Sequence, residues 1–496
     1  MSAGEYDVIV IGAGPVGENV ADWVVQGGLS AAIVESELVG GECSYWACMP
    51  TKALLRDAAA LRAARSLPGA AAAITGSLDA AAVLERRDRF ASHWHDDGQV
   101  SWLESAGIAL VRGHARLRGP RTVEVSTPEG GTTVLRARQA VVLATGTSAA
   151  LPPIAGLADA RPWTSREAVS AERIPDRLAI IGGGVVGAEL AGAYSAFGTQ
   201  VTLIARDGLL PRVEPFAADQ VAAALREDGA RLLIGAEPVE VVREHDGSVR
   251  IVLADGDTVR ADEVLVATGR RPNTGDLGLE SIGIEPGTWL TVDETLRVVD
   301  ADGRPVAGGG LYAAGDVNGR ALLTHQGKYQ ARAAGDVIAA CALGAEVDDE
   351  PWGRHAATAD HHAVPQVIFT HPEIASVGHT VASARAAGLP VRAVEYDLGA
   401  VAGASLHADG YTGRVSMLID EDAGTIVGFT AVGPDTAELV HAATIAIAAE
   451  VPIERLWHAV PAYPTMSELW LRLLETAGSD TRARTRSTPQ LVTSDR

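Results

Sequence analysis

Two cysteines, Cys43 and Cys48, have four residues between them in the stretch GGECSYWACMPTK, Gly40 to Lys52. The chain holds three cysteines in 496 residues, too few for a fold stapled by disulfides. A close pair at a strand-to-helix junction therefore points to redox or metal chemistry. The spacing is not CxxC, which argues against a zinc ribbon or a thioredoxin motif. In a helix-like segment, thiols at this separation could close a small, reducible loop. The helix that follows would present its N-terminus to a thiolate and stabilise it. Cys341 lies in an alanine-rich helical stretch and reads as a small core residue.

The elements that must position these thiols are legible on either side. Tyr6 to Ile11 is a near-continuous apolar run, as a buried parallel strand should be. The turn Gly12-Ala13-Gly14-Pro15-Val16-Gly17 follows, then a helical pattern through Val25, then a strand over Ala31 to Val34 ending in Glu35. Strand, glycine turn, helix, strand and acid together make a dinucleotide fingerprint. Its glycines allow close approach to a pyrophosphate, and the acid can accept from a ribose hydroxyl. The unit recurs as the strand Leu178 to Ile181, the turn Gly182-Gly183-Gly184-Val185-Val186-Gly187 and the strand Val201 to Ile204. A repeated mononucleotide-binding unit implies a second nucleotide, as hydride transfer requires. Ala205 stands where an acid would hold the NADH ribose, and Arg206 and Arg212 follow. Two arginines and no acid at that position favour NADPH, whose 2'-phosphate pairs with a guanidinium fork.

The length exceeds one hydrophobic core and predicts several domains. A net charge of -22 argues against nucleic acid as a partner and reads as solubility. The sequence shows neither an apolar run long enough to span a membrane nor a signal-peptide pattern, so a cytoplasmic protein is expected. His93, His95, Asp96 and Asp97 read as a solvated helix face, and no metal site is expected.

The pattern GG-x-C-x4-C-x-P-[ST]-K resembles the active-site signature of the FAD-dependent pyridine-nucleotide disulfide oxidoreductases. That family includes lipoamide dehydrogenase, glutathione reductase and mercuric reductase. The resemblance implies that Cys43 is the exposed interchange thiol and Cys48 the thiol beside the flavin. It implies that Lys52 pairs with Glu189 near the flavin. FAD would be held by Gly12, Gly14, Pro15, Gly17, Glu35, Gly41, Thr145 and Gly146, and by a second element at Gly315 and Asp316. NADPH would be held by Gly182, Gly184, Gly187, Gly269, Arg206 and Arg212. The implied fold class is α/β: two Rossmann-like dinucleotide-binding domains followed by a C-terminal α+β dimerisation domain. The expected limits are an FAD domain over 1–155, an NAD(P)H domain over 156–273, a return to the FAD domain over 274–350 and an interface domain over 351–477. Pro351 to His362 reads as a polar linker, and 478–496 as a disordered tail poor in apolar residues.

The resemblance breaks at one position. The interface domain should carry His-Pro-Thr-x-x-Glu, with the histidine acting as acid-base for the partner subunit's interchange thiol and the glutamate orienting it. This chain reads Tyr463-Pro464-Thr465-Met466-Ser467-Glu468. A phenol, with an ordinary pKa of about 10, is a poor base at neutral pH, although it can donate a proton or a hydrogen bond. His458 is a candidate to take over. Mercuric reductase also carries tyrosine here, but the Cys-Cys pair that it uses to pass metal inward has no counterpart in LVTSDR. The leading expectation is a homodimeric enzyme passing electrons from NADPH through FAD and Cys43-Cys48 to a small disulfide, or in reverse from a dithiol. The competing readings are a reductase of metal ions, quinones or oxygen, and a non-catalytic redox sensor.

Overall fold

The computed structural model describes residues 4–487. They form two compact units. The first comprises the residues through Asp57, Asp79–Asp207 and Arg231–His361. The second comprises Ala58–Leu78, Gly208–Ala230 and the residues from His362 onward.

In the first unit, β1 (Gly4–Ile11) is central to a seven-stranded sheet, parallel to β2 (Ala31–Glu35) on one side and to Thr132–Leu143 on the other. The strand Thr132–Leu143 changes partners along its length. Its first half pairs antiparallel with Thr122–Ser126, and its second half pairs parallel with Leu311–Ala313. The segment Leu311–Ala313 thus joins the first sheet. Val8, Ile9 and Val10 are wholly buried, which explains why the run is apolar without alternation. Each such side chain contributes roughly 1.5–3 kcal/mol relative to exposure. Helix α1 (Pro15–Gln26) crosses between these parallel strands. A second, four-stranded parallel sheet runs Arg231–Ile234, Gln200–Ala205, Arg177–Ile181, Glu263–Val266. A three-stranded antiparallel sheet over 238–261 completes that half. Arg270–Pro272 pairs with Thr147–Ala149 where the chain re-enters the first half.

The second unit is built on a five-stranded antiparallel sheet in the order Pro365–Ile368, Glu373–Gly378, Thr425–Gly433, Arg414–Asp420, Val391–Asp397. Helices Val440–Ala448 and Leu469–Ser487 accompany it. A mixed sheet with a parallel core, a second, parallel sheet and this antiparallel domain make up the α/β architecture expected.

Three local expectations need correction. The presumed linker 351–362 is partly core: Ala356, Ala357, Thr358 and Asp360 are buried, and Asp360 accepts hydrogen bonds from Gln326 at 2.7 Å and Gln330 at 2.9 Å. Composition reads a polar stretch as solvated, whereas here buried amides satisfy the acid. Cys341 is exposed, not core, and receives a hydrogen bond from Arg297 at 2.9 Å. The helix that begins at Leu469 continues to Ser487, into the stretch expected to be disordered; the remainder of that stretch, 488–496, lies outside the described residues.

Candidate redox and nucleotide-binding site

The first fingerprint folds as a strand, a tight turn and α1. A Cβ on Gly17 would lie 1.8 Å from the Gly12 carbonyl oxygen, so the helix can approach the strand this closely only with glycine there. Gly187 repeats the constraint, with 2.1 Å to the Gly182 oxygen. Glu35 closes β2, and its two carboxylate oxygens accept from the amides of Ala13 at 2.7 Å and Glu37 at 2.8 Å. Burial pushes the Glu35 carboxyl up, while those amides oppose the shift.

A cavity of about 960 Å³ runs along this turn, with Gly12, Gly14, Glu35, Cys43, Thr145 and Asp316 among its walls. That volume is at the upper end for small-molecule sites and suits a dinucleotide. Two features fit FAD in particular. The Thr145 hydroxyl is buried in the cavity wall without a hydrogen-bond partner among the described residues. Asp316, in the second element, accepts from the Thr147 hydroxyl at 2.7 Å, with Arg270 at 3.9 Å. Burial raises the Asp316 carboxyl, and Thr147 and Arg270 pull it back. The loop before it is fixed by the Gly315 amide donating to Gln330 at 2.7 Å.

Cys43 lies in a single helical turn, α2 (Gly41–Tyr45), and Cys48 is the first residue of α3 (Cys48–Arg65). Tyr45 anchors the loop by burying its ring and donating to the Val39 carbonyl at 2.9 Å. Both cysteines are free thiols and hydrogen-bond to each other. The pair is asymmetric. The bond from Cys43 lowers the Cys48 thiol, helped by the Thr324 hydroxyl, 3.4 Å from its sulfur, and by the charge of Lys52. Cys43 moves up, because its proton is held against Cys48 and burial disfavours its charge. The first proton therefore leaves as a shared one, with negative charge resting on Cys48 at the helix start.

One helical turn beyond Cys48, Lys52 Nζ donates to Glu189 Oε2 at 2.7 Å. The Glu189 side chain is only 3 % exposed, that of Lys52 34 %. The structure therefore joins two residues 137 apart in sequence, from the two fingerprint segments. In the second fingerprint, Arg206 is exposed just past Gln200–Ala205 and pairs through two nitrogens with Asp207, at 3.1 and 3.0 Å. Arg212 is also exposed and belongs to the second unit.

Three participants escaped the sequence reading. Thr324, first residue of the helix Thr324–Leu343, reaches Cys48 from 276 positions away. Arg166 donates to Glu42, the residue before Cys43, and to Glu37, and covers the Trp46 ring at 4.3 Å. Arg270 donates to the Thr147 hydroxyl at 2.5 Å and carbonyl at 2.6 Å. Only the TG-R-x-P pattern around Arg270 gave a signal in one dimension.

In the second unit, Tyr463 is 75 % exposed and makes no hydrogen bond among the described residues. Glu468 is 4 % exposed and accepts from Arg472 at 2.6 Å, so its partner is not Tyr463. Its other oxygen, Oε2, is buried with no partner among the described residues. His458 is exposed. Asp96 is a structural group, accepting from the Val39 amide at 2.7 Å and from Arg112 at 2.6 Å. Among the described residues no helix is long and apolar enough to cross a membrane, and no cluster of three or more His, Cys, Asp or Glu could hold a metal.

Comparison with known proteins places this geometry. The family described as pyridine nucleotide-disulphide oxidoreductase matches residues 6–335, and its dimerisation domain matches 364–473, which supports a homodimer. A mercuric reductase of Shigella flexneri is 32 % identical over 475 residues, 94 % of this chain and 80 % of that protein. A dihydrolipoyl dehydrogenase of Chlamydia muridarum is 30 % identical over 476 residues, 94 % of this chain and 95 % of that protein. LpdA from Mycobacterium tuberculosis superposes with a TM-score of 0.78 at 26 % identity, covering 98 % of this chain and 100 % of that one. The HOCl-induced flavoprotein disulfide reductase RclA from Escherichia coli shares the fold, with a TM-score of 0.78 at 23 % identity over 95 % of this chain and 99 % of that one. The chain belongs to the class I pyridine nucleotide-disulphide oxidoreductases, FAD-dependent enzymes that draw electrons from NAD(P)H.

Proposed function

We propose that the protein is an NADPH-dependent disulfide reductase that works through Cys43 and Cys48. The observation that carries this reading is the placement of the thiol pair: Cys43 lines the cavity, and Cys48 heads α3 with the Thr324 hydroxyl 3.4 Å from its sulfur and the Lys52–Glu189 pair one turn on. Bound FAD would supply the two-electron relay between the nicotinamide and the Cys43-Cys48 disulfide. Gly12, Gly14, Pro15, Gly17, Glu35, Gly41, Thr145, Gly146, Gly315 and Asp316 would hold it. In the reduced pair Cys43 gives up its proton and its sulfur attacks one sulfur of the acceptor. The acceptor S–S bond breaks, and the leaving thiolate takes a proton. Cys48 then attacks Cys43 in the mixed disulfide and releases the second thiolate, which is protonated in turn. The Cys43-Cys48 bond re-forms, so two electrons have passed to the acceptor, together with the proton of Cys43 and a second proton from the donor beside the pair.

Thr324 and Lys52 keep Cys48 ionised for the second attack, and the buried Glu189 fixes Lys52. Gly182, Gly184, Gly187 and Gly269 would take the nicotinamide nucleotide, with Arg206 and Arg212 on the 2'-phosphate. Tyr463 of one protomer would donate the proton at the other's thiols, with His458 the alternative donor. We assign an FAD domain to 1–155 and 274–350, an NAD(P)H domain to 156–273 and an interface domain to 351–477, the last carrying Tyr463 and Glu468. We place the enzyme in the cytoplasm, where such a pair persists as a catalytic couple.

The test is anaerobic turnover of a panel of small disulfides with NADPH, counting NADPH consumed against thiols formed. A disulfide that yields two thiols per NADPH, with Cys43→Ser inactive yet still bleaching its flavin with NADPH, supports the reading. Equal turnover in Cys43→Ser would sink it.

A second reading has its own observation. Position 463 holds a phenol where the resemblance places an imidazole base, and Glu468, the residue that would orient it, is paired with Arg472. A metal ion or quinone acceptor would suffer less from that loss. Two relatives at 31–32 % identity are mercuric reductases. NADPH oxidation faster with such acceptors than with every disulfide would favour this reading.

A further inference from the structure

The inference rests on the reading of the cavity as an FAD cradle. Gly14 caps the start of α1, where the turn offers its amides to a pyrophosphate. Gly41 packs against it so tightly that a Cβ on Gly41 would lie 2.8 Å from the Gly14 Cα. Glu42 is the next residue, and both Glu42 and Glu37 line the same cavity. The anion end of the cradle is therefore bordered by two carboxylates, which would repel a phosphate.

One side chain engages both. Arg166 Nε donates to Glu42, and its other two nitrogens donate to Glu37 at 3.1 and 2.8 Å. The guanidinium lies on the Trp46 ring, between the two cysteines in sequence. Its backbone is set by a capping box, in which the Thr164 hydroxyl accepts the Arg166 amide and Glu167 accepts the Thr164 amide. Arg270 is 3.8 Å from Glu42 but spends its donors on Thr147. Arg166 is thus the cation that hydrogen-bonds the side chains of both Glu42 and Glu37, with Arg270 a more distant counter-charge to Glu42.

We propose that Arg166 is a counter-charge strut that neutralises Glu37 and Glu42, making the cradle acceptable to a pyrophosphate, and so sets the affinity for FAD. Its action is on retention of the cofactor and not on the thiol chemistry.

The experiment dilutes purified holoenzyme and follows released FAD by its fluorescence, giving a Kd for each variant. Arg166→Met should raise that Kd by about ten-fold or more, because two carboxylates are left uncompensated. Adding Glu42→Gln to Arg166→Met should recover most of the loss. Glu42→Gln alone, with Arg166 in place, should hold FAD at least as tightly as the wild type. This third variant decides the matter if circular dichroism shows Arg166→Met to be misfolded. An unchanged Kd in folded Arg166→Met, no recovery in the double variant, or weaker binding in Glu42→Gln would each overturn the proposal. A wild-type protein that retains no FAD would overturn the cradle reading as well, so the two failures are distinguishable.

Discussion

Replacing Thr324 by valine keeps the shape of the side chain and deletes one hydroxyl, 3.4 Å from the Cys48 sulfur. A hydrogen bond to a charged group contributes about 1.5–3 kcal/mol at good geometry. A sulfur acceptor at this distance belongs below that range, at about 1 kcal/mol. Since 1.36 kcal/mol corresponds to one pKa unit, the effect is somewhat under one unit. The sign follows from the donor. A hydroxyl donating to sulfur favours the thiolate and lowers the thiol pKa, so its removal raises it. The thiolate of Cys48 should then form at higher pH, by about 0.7 unit. The assay titrates thiolate absorbance with pH in a Cys43→Ser/Cys341→Ser background, which leaves Cys48 as the sole thiol among three cysteines. Comparison with and without Thr324→Val isolates the hydroxyl. A midpoint that stays put, or moves to lower pH, would refute the view that Thr324 supports the charge on Cys48.

Lys52→Met should lower stability by about 3 kcal/mol, the lower end for a broken buried pair because Lys52 keeps some solvent contact. Adding Glu189→Leu should restore much of it, as denaturant midpoints of the single and double variants will show. Arg206→Ala should raise the KM for NADPH about ten-fold and leave that for NADH nearly unchanged, since a phosphate contact is lost only with the former; steady-state kinetics with both nucleotides check this. Tyr463→Phe should reduce disulfide turnover by about 10²-fold if its hydroxyl donates the proton, with hydride uptake from NADPH unaffected. An undiminished rate would remove Tyr463 from the reaction.

The sequence alone determined the parts whose chemistry is local. The glycine turns at Gly12–Gly17 and Gly182–Gly187 are legible because helix–strand approach forbids a Cβ at Gly17 and Gly187, and that constraint acts within six residues. The apolar run of β1 is legible because burial on both faces removes alternation. The cysteine pair at a helix start is likewise a matter of near neighbours. Tertiary structure decided whatever depends on distant partners. It joined Lys52 to Glu189, Cys48 to Thr324, and Glu42 to Arg166, contacts separated by 137, 276 and 124 residues that no spacing rule connects. It also decided burial where composition misleads: Asp360, in a polar stretch, is core because two glutamine amides meet it, and Cys341, in an alanine-rich helix, faces outward beside Arg297. A residue's type limits the bonds it can make, but the fold alone supplies the partner that sets its charge and exposure.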